Sequence, residues 1–277
     1  MNRFFLLVLP VMLAYAGAIK WVWDRWFQDG SYYSHGPVVL LAVLVLIWLR
    51  RTQWRAEVME TCLSGWWLLG PGLFLHLCGT SLTIDSLSAI SLSLSLPGLG
   101  LLVLGTRRIR VLWPIIVLLL LALPPPMAVT RDLAFQLKEL AIDSSLWLIN
   151  GLGLEAERYG AQIAIPGQLR RLDVAPACSG LRSLVALTTL GYCIAFFIGS
   201  QHGARRWILL FAAMPIAVAS NILRISSICL VADWESVDYA STTGHSILNV
   251  AEWVVDLGLL FLLDMLLSRN RGREGAR

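Results

Sequence analysis

The stretch Ser86–Gly105, "SLSAISLSLSLPGLGLLVLG", decides the fold. Its first half alternates serine with leucine, the two-residue period of a half-buried strand. Its second half is a continuous apolar run with no polar partner for each apolar residue. Twenty residues of this kind match the roughly 20 that a helix needs to cross about 30 Å of hydrocarbon. A helix satisfies every backbone group within itself, and its serines can bond to the backbone or to neighbouring helices. The stretch therefore reads as a membrane-spanning helix. The rest of the chain agrees: it is 57% hydrophobic and 14% charged, whereas a soluble domain has about 25% charged residues.

Further apolar runs give eight expected spans, at about 4–23, 36–49, 63–79, 87–105, 111–126, 181–199, 205–231 and 245–267. The fold expected is an all-α integral membrane protein. It is a polytopic bundle of about eight transmembrane helices in one domain, 1–277. Arg3, Arg50, Arg51, Arg55, Arg107, Arg108, Arg110, Arg205, Arg206 and the arginines of the tail all fall on one side of this scheme. The positive-inside rule makes that side the cytoplasm. Both termini are then cytoplasmic, and the protein belongs to the cytoplasmic (inner) membrane. The net charge of +4 is small for the length and gives no nucleic-acid footprint. The apolar start ends in Ala14-Tyr15-Ala16, which resembles a signal-peptidase site, but the run continues to Trp23 and favours a retained span.

The long segment of about 127–180 is expected outside the membrane. Its part "RDLAFQLKELAIDSSLWLING" has helical periodicity and suits a surface helix. "AQIAIPGQLRRLDVA" follows, with a Pro-Gly turn between two β-prone runs, the pattern of a hairpin. That hairpin leads directly to "ACSGLRSL" at the mouth of the sixth span.

Three spans bring reactive side chains to the outer leaflet. Cys178 enters span six, with Arg182 four residues on. Arg224 sits in the outer half of span seven, within "SNILRISS", and His245 opens span eight. A thiol reacts as thiolate, and nearby cations favour that form. Either arginine can supply such a field, or hold a developing oxyanion or a carboxylate. Imidazole can take the thiol proton and return one to a leaving amine. Plainer readings compete with each. Arg182 can snorkel to headgroups, and His245 can be an interfacial residue. Cys62, Cys78, Cys193 and Cys229 read as packing residues, and His35 and His76 lack a partner signature. Asp264 reads as structural, and a pairing of Asp256 with an arginine is open. Arg224 is hardest to dismiss, because a charge deep in a span is costly and marks function by default. No cluster has metal-ligand spacing, and no cofactor is expected.

"PACSGLRSL" (176–184), "NILRI" (221–225), "GHSILNVAEWVV" (244–255) and "YYSHGPVVLLAVLVLIWLRR" (32–51) together resemble the exosortase and archaeosortase family of membrane transpeptidases. The resemblance covers nearly the whole chain. It implies Cys178 as nucleophile, Arg224 as an essential cation and His245 as the third member, facing the periplasm or outside. It assigns Arg182 and Asn221 to support or substrate binding. It implies as partners exported proteins with a C-terminal motif (often Pro-Glu-Pro), a hydrophobic helix and a basic tail. Besides membrane lipids, an amine-bearing acceptor is the remaining partner. An acidic motif would meet Arg158, Arg170, Arg171 or Arg182. The competing class is a non-catalytic membrane subunit of an exopolysaccharide assembly or export system, with Arg224 binding an anionic lipid or glycan. A transporter fits poorly, because the polar residues gather at one face rather than at the bilayer midplane.

Overall fold

A computed structural model describes residues 2–174, 179–198 and 203–274. The chain divides into two compact units, 1–130 and 131–277.

The first unit holds α1 (Asn2–Ala14), α2 (Ala16–Phe27), α3 (Gly36–Leu49), α4 (Arg51–Ala56), α5 (Trp66–Ser81) and α6 (Asp85–Leu121). The serine–leucine stretch is helical, as its length and continuation imply. Its serines have a packing purpose. On α5, Gly72 and Gly79 recur seven residues apart in phase with Gly65 just before it, and all three face α6. A Cβ at Gly65 would lie 2.5 Å from the Gly98 oxygen, and one at Gly79 would lie 2.6 Å from the Ser88 nitrogen. Small residues let two helices approach to backbone contact, where dispersion replaces the hydrophobic drive that lipid cannot supply. The Tyr15 phenol meets Ser91 at 2.8 Å, Ser95 at 2.7 Å and the Gly72 carbonyl at 3.2 Å. His76 bonds Ser88 at 2.7 Å and stacks on Tyr15, with ring centroids 4.0 Å apart. The apparent strand alternation is thus a ladder of hydroxyls serving close helix contact.

The second unit begins within α7 (Met127–Gly151), the helix expected on the surface segment. A three-stranded antiparallel sheet follows: β1 (Glu157–Tyr159), β2 (Gln162–Ala164) and β3 (Leu172–Asp173). Pro166-Gly167 turns β2 into β3, with Gly167 at φ +78. β1 is an added strand that periodicity did not reveal. Arg158 on β1 bonds Glu139 at 2.6 Å and also Asp143, which fastens the sheet to α7. Then come α8 (Leu181–Cys193), a π turn at Ile194–Ile198, α9 (Ala204–Trp234), α10 (Val237–Tyr239), a π turn at Ala240–Gly244 and α11 (His245–Glu274). Ile142, Ile149, Ile163, Leu172, Ile225, Cys229 and Val237 form one core beneath the sheet. Cys229 packs there as a small apolar residue.

Among the described residues three helices are long and apolar enough to span a membrane, namely α6, 181–198 and α9. A fourth exists if α1 and α2, bent by 55° at Tyr15, count as one. This is an all-α membrane architecture, and by length and composition the described residues show three or four spanning helices where eight were expected. The differences have local causes. α3 has 14 residues, about 21 Å at 1.5 Å per residue. The fourth and fifth runs are two helices that meet at a kink within Asp85–Leu121, where Gly105 leaves helical geometry at φ +79 and ψ 172, as two separate runs imply. There a Cβ would collide with the Glu60 carbonyl.

Candidate active site

The second unit packs α8 and α11 against α9, and the expected site residues divide by element. Asn221 and Arg224 are on α9, both buried, the guanidinium residue 7% exposed. Spacing explains the polar face: Ser220, Asn221, Arg224 and Ser227 lie within one helical stripe. His245 is the first residue of α11, immediately after the π turn. π turns insert an extra residue and shift helix phase, and they occur frequently at functional sites. Gly244 permits the approach, since a Cβ there would lie 3.3 Å from Val231 on α9.

Arg224 is held from both helices. Its Nη2 donates to Asn221 Oδ1 at 2.7 Å, and its Nη1 donates to Asn249 Oδ1 at 3.2 Å. Nη1 also bonds Glu252 Oε2, forming an ion pair whose side chains are 6% and 2% exposed. Arg224 Nε is buried without a partner. Glu252 and Asn249 are residues that sequence reading missed. The signal was present: His245, Asn249, Glu252 and Asp256 are spaced 4, 3 and 4, one stripe of α11. The open question about Asp256 resolves against it, because the carboxylate that pairs with the arginine is Glu252. Asp256 is fully buried, with Ser220 of α9 as its polar neighbour and no ion pair among the described residues. Along α11, Asn249 lies about 6 Å and Glu252 about 10 Å beyond His245. Arg224 thus reaches α11 between one and two turns past the imidazole.

α8 approaches the same place. Gly180, at φ +77, precedes it, and a Cβ there would lie 2.7 Å from Asn221 Nδ2. Only a residue without a side chain fits this left-handed turn against Asn221. Cys178 lies outside the described residues; it precedes Gly180 by two positions. Arg182 is in the first turn of α8, half-buried, and its Nε has no partner. The remaining two expected residues sit in the connection from β2 to β3, just before β3. Arg170 is exposed and pairs with Asp238 on α10. Arg171 lies over the Tyr159 ring at 4.0 Å.

An open cleft of about 130 Å³ runs between α9 and α11, lined by Leu223, Leu248, Ala251 and Val255, with Ser220, Ser227, Arg224 and Glu252. Among the described residues no group of histidines, cysteines and carboxylates is arranged to hold a metal ion.

The fold and this site define a helical membrane protein with a buried arginine–carboxylate pair at an apolar-rimmed cleft between α9 and the helix that His245 opens. The transmembrane exosortase family model (Exosortase_EpsH) matches residues 23–264, and the chain belongs to that family. No curated protein and no solved structure matches it.

Proposed function

We propose that the chain is a cysteine-dependent membrane protease and transpeptidase that cleaves C-terminal sorting signals of exported proteins. It works as one domain, 1–277, in the cytoplasmic membrane. Both termini are cytoplasmic, and the segment of about 127–180 and the site face outward. Cys178 attacks the scissile carbonyl as thiolate, its proton passing to His245. Arg224 donates to the oxyanion that forms. Collapse of the tetrahedral species breaks the C–N bond, and His245 returns the proton to the departing amine. The resulting thioester is released by an amine-bearing acceptor or by water. Asn221 fixes Arg224, and Arg182, which has no acidic partner among the described residues, receives the acidic group of the motif.

The observation that carries this reading is the buried Arg224, gripped by Asn221, Asn249 and Glu252 on helices adjoining His245 and Gly180, in a chain of the exosortase family. The same pairing weighs against the non-catalytic reading, since an arginine already neutralised by Glu252 is a poor receptor for an anionic lipid or glycan. For motif recognition the pairings favour Arg182, because Arg158 and Arg170 already hold carboxylates.

Mass spectrometry of signal-bearing exported proteins, from cells with the wild type or Cys178→Ala, tests the proposal. The wild type yields cleaved and modified C-termini; Cys178→Ala and Cys178→Ser leave the signal intact. Unchanged processing in Cys178→Ala refutes it.

A further inference from the structure

Two carboxylates and one guanidinium lie together inside the second unit, and the assignments above give a task only to the guanidinium. Glu252 sits on α11 with its Oε2 bonded to Arg224 Nη1. Its other oxygen makes no hydrogen bond. Ser183 of α8 faces this carboxylate, but the Ser183 hydroxyl is committed to the Gly180 carbonyl at 3.0 Å. Among the described residues, Arg224 is therefore the cation that Glu252 pairs with, and Ser183 is a polar neighbour. Asn221 and Asn249 also accept from Arg224, but both are neutral. Asp256, one turn further on the same face, bonds neither.

We infer that Glu252 is a positioning residue: its carboxylate fixes the plane of the Arg224 guanidinium and cancels its charge. This rests on the transpeptidase reading above. Three acceptors from two helices fix a planar, forked donor far better than one. A guanidinium without a counter-ion in an apolar cleft would draw any available anion, phosphate headgroups included, and be occupied before substrate came. With Glu252 in place, Arg224 acts as an aimed hydrogen-bond donor, effective when an oxyanion develops and indifferent to anions at rest. That is differential binding of the transition state.

The test uses the full chain in nanodiscs and an anchored reporter bearing a Pro-Glu-Pro motif, a hydrophobic helix and a basic tail. Glu252→Gln keeps shape and one acceptor but removes the charge. We expect kcat to fall about a hundredfold, the scale of a 1 Å misplacement, with KM unchanged. Glu252→Asp, which keeps the charge, should recover part of kcat. Asn249→Asp with Glu252→Gln moves the counter-ion one turn along α11; it should restore folding but remain slow. Wild-type kcat in Glu252→Gln overturns the inference, as does wild-type kcat in the double variant, which would reduce Glu252 to simple charge balance. If none of the three accumulates folded, Glu252 serves folding alone, and the inference also falls. Cys178→Ala is assayed alongside: activity in it removes the reaction itself, whereas an inactive Cys178→Ala beside a wild-type-like Glu252→Gln removes only this inference.

Discussion

Gly180→Ala isolates the contact that joins the turn at Gly180 to Asn221. Gly180 has φ +77, a region that costs an L-residue roughly 1–2 kcal/mol. The new methyl would lie 2.7 Å from Asn221 Nδ2, below any normal contact, so Asn221 must swing away. Its Oδ1 then leaves the 2.7 Å bond from Arg224 Nη2, and a hydrogen bond to a charged group contributes about 1.5–3 kcal/mol. The expected loss is about 2.5–5 kcal/mol if both parts add. Tryptophan fluorescence during detergent titration of the purified protein reads it. Asn221→Ala should make Gly180→Ala cheaper, leaving only the backbone part, a coupling of at least about 1 kcal/mol. A Gly180→Ala variant within about 0.5 kcal/mol of wild type, the range of an ordinary surface change, refutes the reasoning. So would strict additivity with Asn221→Ala.

Arg224→Met strands Glu252 inside the unit and should destabilise by about 3–5 kcal/mol, whereas Arg224→Met with Glu252→Met should regain most of that in the same titration. At Gly105, with φ +79 and the Glu60 carbonyl against it, alanine should lower the unfolding temperature more than alanine at Gly17, which has open space. Burial holds His35 below its usual 6.5 and pushes Tyr33 up to about 12. As pH falls through 6.5 the unfolded chain takes up the His35 proton first. Its contribution is therefore full above that value and declines below it until the lower folded value is reached. His35→Gln should flatten the fall in melting temperature between about pH 7 and 5, a window set by the ordinary histidine range.

Residue types alone made the membrane class legible, because hydrocarbon admits few solutions for a polar backbone. They also singled out Arg224, since a charge in a span needs a reason. The partner of that charge was harder to see. Glu252 stands in "AEWVV" as one acid among apolar residues, and only the phase of α11 against α9 brings it to Arg224. Asp256 is an equally good candidate by composition and sits one turn too far. The fourth and fifth runs were legible as separate helices, but not that the break falls on the non-helical φ and ψ of Gly105. Nor did sequence periodicity show β1, three residues held by pairing with β2 and by Arg158.

The cleft that Arg224 lines is bordered by Leu223 and Val255, 54% and 48% exposed. A water-borne solute finds little to grip on such a rim, but an acyl chain or a tethered apolar peptide can lie along it. Under the proposed function, traffic through that opening runs sideways within the bilayer. Encounter there depends on how many tethered molecules share an area of membrane, not on their concentration in the surrounding water.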